Sequence, residues 1–217
     1  MDLEVARFNM IEQQIRPWGV VDPRVLEILR MVRREEFVSI EQRTLAFADL
    51  SLPIGHNEVM WQPKIEARIL QALAPLNTDR VLEVGTGSGY FTALLASCAS
   101  HVTSIDIQKD FIGRARNRLK YNGINNIDVG VGDGALGWPS GKLWDVIVLT
   151  GSVPALPNAY RAILAPNGRL IAVVGQKPMM EATLYVHQID GAWATKSLFD
   201  TVIPPLVNVE QPSAFSF

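Results

Sequence analysis

The sequence predicts an α/β fold: a mainly parallel sheet, preceded by a helical N-terminal extension and closed by an antiparallel tail. Three observations predict it. Short apolar runs alternate with helical segments from Arg80 onward, one of these runs opens into a glycine-rich turn, and two late runs flank an Asp-Gly pair. With 48% hydrophobic and 19% charged residues among 217, the chain has ample material for a core.

Residues 1–78 read as the helical extension, which also carries a candidate acceptor loop, and residues 79–217 as the sheet domain. Asp22 and Pro23 form a helix start, with Asp22 as N-cap and Pro23 in the first turn, and Val25, Ile28, Leu29 and Val32 follow at helical spacing. Arg30, Arg33 and Arg34 read as a solvated face. Residues 49–55 are turn-rich. Gln62-Pro63 then opens a helix carrying Ile65, Ile69 and Leu73, which ends at Pro75.

In the second region, residues 81–84, 102–105, 127–131, 146–149 and 170–174 are expected strands. Residues 90–100, 110–122 and 157–164 are expected helices, the second ended by Gly123 and the third followed by Pro166 and Gly168. Strand, helix, strand in this order implies parallel pairing through right-handed crossovers. Cys98 follows Phe91, Leu94 and Leu95 at helical spacing and reads as a buried helix residue. In the tail, residues 183–189 and 193–200 flank Asp190-Gly191, a hairpin signal.

The formal net charge of -2 offers no general attraction to phosphate backbones or anionic lipid, so neither nucleic acid nor a membrane is an expected partner. A single cysteine excludes an internal disulfide framework and fits a reducing compartment. Residues 1–16 lack an apolar signal core, and no apolar run approaches the roughly 20 residues that cross a bilayer. A cytoplasmic chain is expected, with a monomer favoured over an oligomer.

The segment Val81-Leu82-Glu83-Val84-Gly85-Thr86-Gly87-Ser88-Gly89-Tyr90 is a strand running into a glycine turn and then a helix. Glycine lets backbone turn sharply and approach a ligand, and the helix start presents free N–H groups. Roughly 20 residues on, Asp106 ends the next strand, placed to accept from ribose hydroxyls, with Ile107 beside it. After the third strand, Asp133-Gly134 supplies an acceptor for an adenine amino group.

The glycines are spaced G-x-G-x-G, with Tyr90 where the nicotinamide fingerprint has its third glycine. Glu83, two positions before Gly85, is placed to meet a cationic amino group and would repel a pyrophosphate. Glu83, Gly85, Thr86, Gly87, Gly89, Asp106, Ile107, Asp133 and Gly134 are therefore the candidate contacts to S-adenosylmethionine. The plainer alternative is that Glu83 and Asp133 cap a helix or turn. A parallel sheet of this kind with an antiparallel tail is the Rossmann-like architecture of class I methyltransferases.

Beyond the glycine turn, the chain resembles the protein-L-isoaspartate O-methyltransferases. The likeness runs through 10–14 (MIEQQ), 22–26 (DPRVL), 34–38 (REEFV), 52–56 (LPIGH), the glycine turn, 132–134 (GDG), 137–139 (GWP), 168–170 (GRL) and 173–175 (VVG). It implies methyl transfer from S-adenosylmethionine to an isoaspartyl carboxylate, the first step in protein repair. It also implies an acceptor site formed by Ile54, Gly55, His56, Val59, Met60 and Trp61. The acceptor would be a protein or peptide carboxylate or, if the loop has diverged, a small molecule.

The family's loop pattern is close to G-H-G-Q-T-I-S-Q-P, whereas this chain reads Gly55-His56-Asn57-Glu58-Val59-Met60-Trp61-Gln62-Pro63. Trp61 stands at the family's active-site serine, Val59 at its threonine, and Val207 where a hydroxyl residue often follows Pro-Leu. By position Trp61 is the candidate catalytic residue. It selects the acceptor, plugs its pocket or simply fills core as buried indoles usually do, and in the second case the chain is a cofactor-binding module without turnover. Of the three histidines, His101 and His187 read as structural.

Overall fold

The computed structural model describes residues 2–139 and 141–210. The last seven residues of the expected sheet region, 211–217, lie outside the described residues. Helix α1 (Leu3–Asn9) runs into a π-helical segment, Met10–Ile15. Helix α2 (Pro23–Met31) starts as its sequence requires, with the Asp22 carboxylate accepting from the Arg24 N–H. A small antiparallel hairpin follows, β1 (Leu52–Gly55) with β2 (Glu58–Met60), and then helix α3 (Pro63–Leu73).

The main sheet comprises β3 (Arg80–Val84), β4 (His101–Asp106), β5 (Ile127–Val131), β6 (Trp144–Leu149), β7 (Leu164–Gln176), β8 (Met179–His187) and β9 (Trp193–Asp200). Its order is β5-β4-β3-β6-β7-β8-β9. The first four pairings are parallel and the last two antiparallel, which matches the expected tail. The crossovers carry α4 (Tyr90–Ala96), α5 (Lys109–Tyr121) and α6 (Asn158–Ala162).

Alternation along the central strands sends side chains to two cores. Val81, Val146, Val148, Ile171 and Val173 face the helices α2 to α5 and the N-terminal segment, forming one buried cluster with Met10, Leu26, Ile69 and Leu94. Leu82, Ile147, Leu149, Leu170 and Ala172 face the other side, with Trp144 and Tyr160. The first core joins residues on both sides of position 78 into one packed body. No helix among the described residues is long and apolar enough to cross a membrane.

Four local expectations need correction. Residues 52–55 are not turn but strand; the run is short, and Pro53 masks it because proline weakens a strand signal. The helix expected over 90–100 stops at Ala96, so Cys98 lies beyond it, half-buried, with its thiol near the Leu94 and Leu95 carbonyls and its pKa pushed up to about 12 by burial. Residues 157–164 contain only the five-residue α6, and β7 begins already at Leu164. Arg34 is not on a solvated face. It is 1% exposed, paired with Glu66 and also donating to the carbonyls of Trp61 and Ala46.

Candidate active site

β3 and β4 lie side by side in the parallel part of the main sheet, and their C-terminal ends open into a cleft. A crevice at the carboxyl ends of parallel strands is where α/β sheets place ligands. The glycine turn forms its floor. Gly85 has φ +101°, and a Cβ there would stand 2.0 Å from the Thr150 hydroxyl oxygen. That hydroxyl donates to the carbonyls of Val84 and Gly85, at 2.9 and 2.7 Å. The turn is thereby pinned to the end of β6.

Asp106 closes the turn from β4. Its Oδ2 accepts from the Gly87 N–H and its Oδ1 from the Gln108 N–H, both at 2.9 Å. Burial nevertheless raises its carboxyl above the usual range, against the pull of those two bonds. At one end of the cleft, Asp133 accepts from the Ala135 N–H through Oδ1 and from the Asn208 side chain through Oδ2, at 2.9 and 2.8 Å. Pro205, Leu206 and Val207 form the adjacent wall.

The β1–β2 hairpin forms the opposite wall and is strapped to α5. His56 Nε2 lies 2.9 Å from Asp110 Oδ1, and Arg114 donates to Asp110 and to the Ile54 carbonyl at 2.9 and 3.1 Å. Ile54, Glu58, Val59, Met60 and Trp61 line the cleft. Trp61 is 6% exposed and tilts against Phe91, with ring centroids 5.6 Å apart. Beneath it, Arg34 lies over the Tyr90 ring at 4.9 Å and holds Glu66, which also lines the cleft. Burial pushes the Glu66 carboxyl up to about 7, although Arg34 pulls it down.

Of the expected cofactor contacts, Gly85, Thr86, Gly87, Asp106, Ile107, Asp133 and Gly134 line the cleft. Glu83 and Gly89 are not among the residues that line it. Glu83 is fully buried and accepts from the hydroxyls of Thr92 and Ser104, the latter at 2.6 Å, and burial pushes its carboxyl up to about 8. A Cβ on Gly89 would stand 3.0 Å from that of Ala115, so this glycine serves the approach of α4 to α5. Of the expected acceptor residues, Ile54, Val59, Met60 and Trp61 line the cleft, while Gly55 and His56 form the outward hairpin tip. His101 reaches Asp128 on β5 and His187 stacks on Trp193, both away from the cleft.

Reading the sequence missed Glu58, Glu66, Gln108 and Asn208. Only Glu66 had a usable signal, since a lone carboxylate among the apolar positions of α3 needs a buried partner. The cleft as a whole has one conspicuous charge property. Among the described residues its lining includes the carboxylates of Glu58, Glu66, Asp106 and Asp133 and no lysine, arginine or histidine. Such a lining opposes a pyrophosphate and suits a ligand carrying positive charge.

A profile of the protein-L-isoaspartate(D-aspartate) O-methyltransferase family matches residues 6–211. A protein-L-isoaspartate O-methyltransferase 2 of Pelobacter propionicus is 38% identical over 208 residues, covering 95% of this chain and 92% of its own. A protein-L-isoaspartate O-methyltransferase of Protochlamydia amoebophila is 42% identical over 202 residues, covering 93% and 96%. Among solved structures, one from Plasmodium falciparum, described as a protein-L-isoaspartate O-methyltransferase in complex with S-adenosyl-L-homocysteine, superposes with a TM-score of 0.80 at 20% identity over 95% of this chain and 98% of that one. Its likeness shows the shared fold. The chain belongs to the protein-L-isoaspartate(D-aspartate) O-methyltransferase family.

Proposed function

We propose that the chain transfers a methyl group from S-adenosylmethionine to a carboxylate oxygen, with the isoaspartyl carboxylate of a protein or peptide as the acceptor its family indicates. The observation that carries this reading is the cleft lined by four carboxylates and no basic side chain, set over a glycine turn. Methyltransferases of this family use S-adenosylmethionine, whose sulfonium and ammonium charges suit that lining. When bound, it supplies an activated methyl group, and transfer to a carboxylate gives a methyl ester and a neutral thioether.

The protein's part is to bind, orient and exclude water. Asp106 and Asp133 retain lone pairs for ribose hydroxyls and an adenine amino group. Val59, Met60, Trp61 and Phe91 supply an apolar wall that keeps water from the reacting end. A carboxylate acceptor is already ionised near pH 7, so no side chain has to remove a proton. In this division of labour residues 1–78 present the acceptor wall and residues 79–217 the cofactor floor. The protein is read as a cytoplasmic monomer.

The test compares ligands in thermal melts and calorimetry. S-adenosylmethionine and S-adenosylhomocysteine at about a hundredfold excess over their dissociation constants should each stabilise the fold by roughly 2.7 kcal/mol. A shift with a nicotinamide dinucleotide alone would sink the assignment. A second reading keeps the chemistry but changes the acceptor. It is favoured by Trp61 and Val59, which remove two hydroxyls from the acceptor wall, and by Glu58, a carboxylate at the family's glutamine. Turnover on a panel of carboxylate, hydroxyl and amine acceptors separates the two.

A further inference from the structure

Every charged group lining the cleft among the described residues is anionic, yet the carboxylates are not equivalent. Asp133 stands beside Asn208 at one end, and Asp106 in the middle is braced by two backbone N–H groups. Glu58 sits close enough to Asp106 for that charge to raise its carboxyl further, after burial itself. With Asp133 and Asp106 taking the adenosine, the amino-acid portion of the cofactor is left the end walled by Trp61, Phe91 and Glu66. Its α-ammonium loses water there and needs a carboxylate, because a desolvated cation without a partner costs several kcal/mol.

We infer that Glu66, held by Arg34, anchors the α-ammonium group of the bound cofactor, the role that reading the sequence assigned to Glu83. The inference rests on the cofactor reading above. Glu83 lies away from the cleft: it is 0% exposed, is not among the residues lining it, and accepts from Thr92 and Ser104 through Oε2, while its Oε1 is buried without a partner among the described residues. Glu66 is 2% exposed and lines the cleft, and only its Oε2 is engaged, by Arg34. Its Oε1 has no hydrogen-bond partner among the described residues. That is a buried acceptor with one open side.

Arg34 makes the arrangement rigid. Its three donor nitrogens go to Glu66, to the Trp61 carbonyl and to the Ala46 carbonyl, and its plane rests on Tyr90. A planar guanidinium with each of its three nitrogens engaged holds its carboxylate in one orientation. Arg34 is therefore a positioning residue, and because it also grips the Trp61 backbone it joins the ammonium anchor to the acceptor wall. The carboxyl of Glu66, displaced upward to about 7 by burial, is a group that one more cation would stabilise in its charged form.

The experiment is a calorimetric cycle of two proteins against two ligands. The proteins are the native chain and Glu66→Gln; the ligands are S-adenosylhomocysteine and its analogue with hydrogen in place of the α-amino group. The native chain should favour the amine by about 10- to 100-fold, the range for a charge-assisted hydrogen bond. In Glu66→Gln the preference should fall to within about threefold while affinity for the analogue is retained. If Glu66→Gln does not fold, the pair Arg34→Gln/Glu66→Gln leaves no buried unpaired charge and carries the same measurement. A preference that survives in the variant, or is absent from the native chain, overturns the anchor. If neither ligand binds the native chain, the cofactor reading falls, and the anchor with it.

Discussion

The glycine-turn end of the cleft and its hairpin end are built by opposite means. The first is made of backbone at the ends of β3 and β4, each hydrogen-bonded to strands on both sides, with the turn pinned by Thr150 and Asp106. The second is a three-residue strand, β2, in a separate two-stranded sheet, and what it offers a ligand is side chains. It is positioned from outside, by Arg34 under Trp61 and by Asp110 and Arg114 at its tip. The difference teaches where change is tolerated. Cofactor geometry sits in a crowded backbone that admits few alternatives, whereas acceptor chemistry sits in side chains that can be exchanged without moving the turn.

The largest expected effect is therefore at Gly85. Alanine there must hold φ near +101° and collide with Thr150 at 2.0 Å. Strain and overpacking together should cost roughly 2–6 kcal/mol of stability in urea denaturation. Val59→Ala on the hairpin should cost about 1 kcal/mol, since the side chain is only partly buried. Equal costs at the two sites would remove the contrast.

Asp106→Ala comes next. It strips the Gly87 and Gln108 N–H groups of their acceptor, at about 1–3 kcal/mol each where buried, and it should also weaken S-adenosylhomocysteine binding by about 10²-fold. Losing stability with affinity unchanged would make Asp106 a brace and nothing more. From sequence alone Asp106 reads as a ribose acceptor. That it also braces the turn depends on how residues 106–108 leave the strand, which no pattern of residue types encodes.

Beneath the same turn, Glu83 makes stability depend on pH. Its folded carboxyl is displaced to about 8 from an ordinary 4.5, so the folded protein holds a proton that the unfolded chain has released. Stability is therefore lost as pH rises from about 4.5 to about 8, and stays flat above. Glu66, displaced to about 7, adds to the lower part of that window. Glu83→Gln should flatten the curve and gain on the order of 1 kcal/mol at pH 8, because Thr92 and Ser104 hydroxyls can turn to suit an amide. Denaturation between pH 5 and 9 measures it, and a variant as steep as the native chain would refute the assignment.

The strands and crossovers of the sheet were legible because buried parallel strands are nearly continuous apolar runs and the helices between them keep their spacing. The glycine turn was legible for a related reason: local sequence determines local backbone. The enclosure of Glu83 was not legible, because spacing fixes which strand position a residue occupies, but not that Thr92 and Ser104, nine and 21 residues away, pack around its carboxyl. Glu66 and Asn208 were missed since their cleft positions depend on partners distant in sequence, at Arg34 and Asp133.

The smallest expected effect on the cofactor end, and the most informative on the acceptor end, comes from Trp61. If the two ends are separable, Trp61→Ser should leave S-adenosylhomocysteine affinity within about threefold, although it empties a buried site and lowers stability. Turnover of an isoaspartyl peptide should be slow in the native chain. A serine hydroxyl can donate to an acceptor carboxylate, while the indole offers one N–H far from the backbone and fills the space against Phe91. An orientation error near 1 Å can cost about 10²-fold, so losing the orienting hydroxyls is enough to slow the reaction. Trp61→Ser alone should recover little, because Val59 still lacks its hydroxyl and Glu58 still opposes a second carboxylate. Trp61→Ser with Val59→Thr should raise isoaspartyl turnover by about tenfold or more. Brisk native turnover that drops in both variants would make Trp61 a working part of the acceptor site. A cofactor affinity that collapses with Trp61→Ser would show that Arg34, gripping both Trp61 and Glu66, binds the two ends into one.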